Sequence, residues 1–122
     1  MERALNVVER YYEAFDNKRG GWKDLVTDDV SMVGPLQRAT GKEEFVALTD
    51  GFLRFHRKTR LLDRIAGGDQ VCSLYEFDLD TPAGQPLTCA VTEWARVSGD
   101  RICEFRLFYD PRAFAQAFGM AG

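Results

Sequence analysis

A chain of 122 residues, 45% hydrophobic and 12% aromatic, suffices for one buried core and is too short for two domains. Its 19 acids against 16 bases leave a net charge of -3, which argues against a nucleic-acid or anionic-membrane partner. No apolar run approaches the roughly 20 residues of a spanning helix, so no membrane association is expected. Met1-Glu2-Arg3 opens directly into an amphipathic pattern, and no signal peptide is expected. Cys72, Cys89 and Cys103 are odd in number and lack metal-ligand spacing. They read as small buried thiols of a cytoplasmic, single-domain protein spanning 1–122, with neither metal nor cofactor.

Ala4, Val8, Tyr11 and Phe15 recur at helical spacing, with Leu5 and Tyr12 beside them, so residues 2–16 predict the first helix. The polar run Asp16 to Gly21 breaks it. Trp22 to Val26 predicts a short second helix, and Val30 to Val33 a short strand stopped by Gly34-Pro35. Thr40 and Glu43 have the spacing of a capping box. Phe45, Leu48, Phe52 and Phe55 then form a stripe that would be both core and pocket wall. His56 to Ala66 reads as a strand with Thr59, Leu61, Asp63 and Ile65 on one face. Its other face, with Lys58, Arg60 and Arg64, reads as solvated, and His56 as a capping or surface group. In Gln70 to Leu79, Val71, Ser73, Tyr75 and Phe77 share a face. Asp110-Pro111 opens a last helix carrying Phe114, Ala115 and Phe118, ended by Gly119.

Between these lies Gln85 to Tyr109, two strand-like runs joined by Ser98-Gly99-Asp100, a turn suited to a tight hairpin. Leu87, Cys89, Val91, Glu93, Ala95 and Val97 alternate onto one face, and Cys103, Phe105, Leu107 and Tyr109 share a face of the partner run. Glu93 is the anomaly, an acid among apolar neighbours on the face that should look inward. Burial there would raise its pKa, as happens at functional sites. With the faces swapped, Glu93 would be solvated and Arg96 would point in, a poorer fit. Helices followed by long antiparallel strands describe an α+β domain. The uncovered sheet face, with Trp94 and Leu74, would pair with a second copy as a homodimer.

Several strings, in order, resemble the SnoaL-like and ketosteroid-isomerase-like branch of the nuclear-transport-factor-2-like superfamily. They are Arg10-Tyr11-Tyr12-Glu13, Leu25 to Val30, Gly41 to Phe45, Gly84-Gln85-Pro86, Gly99 to Ile102 and Tyr109 to Arg112. The resemblance covers about Ala4 to Phe118. It implies a cone-shaped, curved antiparallel sheet wrapped by N-terminal helices, with an apolar pocket at one end. By the same resemblance Tyr11 matches an oxyanion-hole tyrosine, and Glu93 a carboxylic acid kept protonated by an apolar site. The family's proton-abstracting aspartate falls at Gly34, so steroid isomerisation is not expected. Asp63 is the remaining acid that could face the pocket. Trp22, Met32, Phe45, Phe52, Tyr75, Phe77, Val91, Phe105 and Tyr109 would line it. The resemblance implies a cyclase, isomerase or dehydratase acting on a small apolar carbonyl compound, or a non-catalytic ligand-binding or dimerisation module.

Overall fold

The structure, a computed structural model, describes residues 2–120. Helix α1 (Glu2–Asn17) buries Ala4, Val7, Val8, Tyr11, Tyr12 and Phe15 along one stripe. It gives way at Lys18 and Gly20, both with positive φ, to a 3₁₀ turn at Gly21–Leu25 that seats Trp22 in the core.

Strand β1 runs over Val26–Val33, four residues longer at its start than expected. The polar Thr27-Asp28-Asp29 looked like a loop. Instead the strand slips register between Val26 and Ser31, which turns those side chains to solvent while Val26 and Val30 stay buried. Strand β2 (Arg38–Thr40) folds back on it, and α2 (Lys42–Leu53) follows. The expected Thr40–Glu43 capping box is not formed. Gly41, at φ 89°, occupies the N-cap, and the Thr40 amide donates to Glu44 Oε1 at 3.0 Å. A left-handed residue at the strand-to-helix corner favours glycine there.

Four long strands complete the sheet: β3 (His56–Gly67), β4 (Gln70–Asp80), β5 (Pro86–Ser98) and β6 (Arg101–Phe108). The order across the curved, open sheet is β2-β1-β6-β5-β4-β3. Every junction is antiparallel except β1–β6, which is parallel. Helix α1 lies across β3 to β6, α2 against β1 to β3, and the short α3 (Arg112–Ala117) closes the chain. Phe45 of α2 stacks on Phe105 of β6, centroids 5.1 Å apart, and fills the core between the layers.

Alternation on β5 is unbroken, and it puts Val91, Glu93, Ala95 and Val97 inward. On β6 it is not. A register shift at Arg96/Val97 turns Ile102 into the core and leaves Cys103, expected inward, half-buried. None of the three thiols is fully buried. On the outer face the guanidinium groups of Arg96 and Arg106 lie over the Trp94 ring, while Leu74 and Phe108 stay exposed.

His56 is a correction. It is 4% exposed, with Phe15, Phe52 and Phe77 around its ring and Nε2 2.7 Å from Thr59 Oγ1. As the first residue of β3 it pairs with Leu79, whose side chain belongs to the core face. That register carries the imidazole inward. Desolvation lowers its pKa to about 4, keeping it neutral.

Candidate functional site

The concave side of the sheet and the helices enclose a cavity of about 380 Å³. Tyr11, Tyr12 and Phe15 come from α1, and Leu48, Thr49 and Phe52 from α2. The sheet supplies Met32, Phe77, Leu79, Cys89, Val91, Glu93 and Leu107, and Tyr109, Phe114 and Phe118 follow from the C-terminal segment. The wall is overwhelmingly apolar, with few polar groups at fixed places, the usual makeup of a small-molecule site.

Glu93 is 3% exposed and is part of the cavity wall. Strand pairing sets it between Ser73 on β4 and Leu107 on β6. The Tyr12 hydroxyl donates a hydrogen bond to Oε2, while Oε1 has no partner among the described residues. Burial raises the pKa to about 7, against the opposing effects of the Tyr12 hydrogen bond and the charge of Arg64. Burial also lifts the Tyr11 and Tyr12 phenols well above their ordinary 10, with the carboxylate of Glu93 adding to it. Both phenols therefore stay protonated and act as uncharged hydrogen-bonding groups. An acid that titrates near neutrality in the wall of a cavity can give or take a proton.

The resemblance pairs Tyr11 with Glu93; the hydrogen bond belongs to Tyr12. Successive helix residues point about 100° apart. The tilt of α1 on the sheet decides which of two adjacent tyrosines meets the carboxylate. Tyr11 packs edge-on to Tyr12, centroids 5.2 Å apart, and also lines the cavity.

Asp63 does not reach the site. A register shift between Leu61 and Asp63 inserts Leu62 as an extra residue in β3, and the alternation of faces reverses there. Asp63 ends exposed, its Oδ1 accepting the Arg64 amide at 2.8 Å. The same bulge swings Arg64 inward, opposite Ser73. Its Nε donates to Ser73 Oγ at 2.9 Å and its Nη2 to the Tyr75 hydroxyl. Arg64, Ser73 and Glu93 thus stand in one row across three strands. Even spacing alone could not reveal this, because a bulge changes parity without changing composition.

Of the expected wall residues, Met32, Phe52, Phe77, Val91 and Tyr109 line the cavity. Trp22, Phe45, Tyr75 and Phe105 lie behind it, each almost wholly buried. They contact one another and the lining side chains: Trp22 with Phe45, Phe45 with Phe105, Tyr75 with Tyr12. Helical or strand phase shows that a side chain is inside, not whether other side chains or open space lie beyond it. Gln37, in the β1–β2 turn, is a lining residue that carried no sequence signal; its Oε1 accepts from the Tyr109 hydroxyl at 2.7 Å.

The family model described as SnoaL-like domain matches residues 8–105. The chain belongs to the SnoaL-like family. A search of curated proteins finds no match. Among solved structures, a nuclear-transport-factor-2-like protein from Burkholderia pseudomallei is 19% identical over 97% of this chain and 98% of its own, with a TM-score of 0.82. A SnoaL-like polyketide cyclase candidate from a Jannaschia species is 19% identical over 99% and 94% of the two chains, TM-score 0.79. TerC, co-crystallised with polyporic acid, is 15% identical over 94% and 97%, TM-score 0.80. At such identities the likeness concerns the fold, and this SnoaL-like domain has the nuclear-transport-factor-2-like architecture. No described helix is long and apolar enough to cross a membrane.

Proposed function

We propose that this SnoaL-like domain is a small acid–base enzyme of the isomerase or lyase type, acting on an apolar molecule that carries a carbonyl group. One observation carries the reading. Glu93 is a buried acid in the wall of an apolar cavity, and its Oε1 has no partner among the described residues. In the proposed reaction, ionised Glu93 takes a proton from the carbon beside the carbonyl. The Tyr11 hydroxyl donates a hydrogen bond to the carbonyl oxygen as negative charge grows there. Returning the proton to another carbon completes an isomerisation; giving it to a departing hydroxyl releases water. A pKa of about 7 lets one carboxyl group serve as both base and acid. The polyketide-cyclase description of the Jannaschia relative and the polyporic acid bound to TerC are compatible with a ligand of this kind.

The test is a carboxyl NMR titration of Glu93, followed by turnover assays on carbonyl compounds that bind. A titration midpoint near 7, moved by bound ligand, is expected. A midpoint at the ordinary glutamate value of about 4.3, or ligand binding without turnover of any bound compound, would refute catalysis by Glu93. We also propose a homodimer through the outer sheet face, supported by exposed Ile65, Leu74 and Phe108. Light scattering that returns a monomer at micromolar concentration would remove it.

A further inference from the structure

We propose that Gln37 binds a second oxygen of the substrate, so that the cavity selects apolar ring compounds carrying two uncharged oxygen functions over those carrying one. The inference rests on the reading of Glu93 above and adds a second point of contact to it.

Gln37 is held in place from three sides. Its carbonyl accepts the Gly34 amide at 2.8 Å across the turn, which brings the two residues face to face. Gly34 has no side chain, and the amide of Gln37 fills the space one would take. A Cβ at residue 34 would stand 2.7 Å from Gln37 Oε1 and 3.3 Å from the Cβ of Leu107. Tyr109 completes the clamp by donating to Oε1. With Oε1 engaged by Tyr109, Nε2 is the remaining donor of the amide.

Leu107 is the strand partner of Glu93, and Tyr109 lies two residues further along the chain. Gln37 and Glu93 thus both border Leu107, with the apolar Met32 and Cys89 also in the wall. A fixed N–H donor on an apolar wall favours a ligand acceptor oxygen, because without one the amide is desolvated for no return. Among the described residues the wall contains no Lys, Arg or His, so nothing in it neutralises a carboxylate or phosphate. A carbonyl, hydroxyl or ether oxygen fits.

Isothermal titration with 2-tetralone and 6-hydroxy-2-tetralone tests the idea, since they differ by the second oxygen alone. Wild-type protein should bind the hydroxylated compound about tenfold more tightly, the value of one good hydrogen bond in such a place. Gln37→Leu should bring the two affinities within about twofold of each other. Gly34→Ala provides a second variant that keeps Gln37 but pushes its amide aside, and it should erase the preference equally. Glu93→Gln should affect both compounds alike and leave their ratio intact, which separates this inference from the reading of Glu93. A tenfold ratio that survives in both Gln37→Leu and Gly34→Ala overturns the inference alone. A wild type with no preference also overturns it, and a wild type that binds neither compound overturns both readings.

Discussion

Glu93 and His56 are both buried, and each leaves one side-chain atom without a partner among the described residues, Oε1 and Nδ1 respectively. Burial acts on both in the direction of neutrality, raising the acid to about 7 and lowering the base to about 4. They differ in what surrounds the side chain. Glu93 belongs to the wall of a cavity, whereas His56 is packed among Phe15, Phe52 and Phe77. A perturbed group becomes a candidate for chemistry only where a reactant can reach it. His56 is held by Thr59, which in turn donates to Asp16 Oδ1 at 2.7 Å, and serves the packing at the start of β3.

Removing the acid should break this contrast most visibly. Glu93→Gln keeps the shape of the side chain and should cost about 10²- to 10⁴-fold in turnover, measured as kcat on any substrate found. His56→Phe should leave kcat within about threefold, since its ring faces no substrate. A large loss in the histidine variant would erase the distinction between the two sites.

Stability against pH sharpens the same contrast, because the two groups act with opposite sign. The folded state holds the Glu93 proton more tightly than the unfolded chain does. Its contribution is complete below pH 4.5 and is lost as pH rises to about 7. The loss amounts to ~3 kcal/mol, since each tenfold change in proton affinity between the folded and unfolded states is worth about 1.36 kcal/mol. For His56 the folded state resists protonation, so its contribution is present above pH 6.5 and is lost as pH falls toward 4. Urea denaturation across pH 4 to 8 should show Glu93→Gln gaining relative to wild type above pH 7. His56→Phe should gain relative to wild type at pH 4 to 5 compared with its standing at pH 7.

Tyr12→Phe removes the hydrogen bond made to Glu93, which lowers that pKa in the native protein. The carboxyl midpoint should rise, and stability at pH 8 should fall by about 1.5–3 kcal/mol, the range for a hydrogen bond to a charged group. Arg64→Met removes a more distant positive charge and should move the midpoint upward by less than Tyr12→Phe does. NMR titration of the Glu93 carboxyl in both variants checks the order. A larger shift in Arg64→Met would place the dominant partner of Glu93 on β3.

Strands β5 and β3 show how far sequence could be read. On β5, apolar residues at every second position placed Glu93 inward, and no bulge interrupts the strand before Ala95. On β3 the same rule placed Asp63 inward, but the inserted Leu62 reverses the faces and brings Arg64 in instead. Gln37 was invisible because it sits in a turn, where neither period applies, and its place depends on the bare Cα of Gly34 and on Tyr109 from the far end of the chain.

Alternation of apolar residues and the order of helices and strands, both properties of the local chain, determined the α+β class and the inward acid on β5. Only the tertiary structure decided which tyrosine meets that acid, which buried rings border open space, and where a strand changes face. Those outcomes depend on how α1 tilts across the sheet, on bulges that add a residue without a compositional trace, and on contacts between residues as far apart as Gln37 and Tyr109. Local periodicity carries no information about any of them.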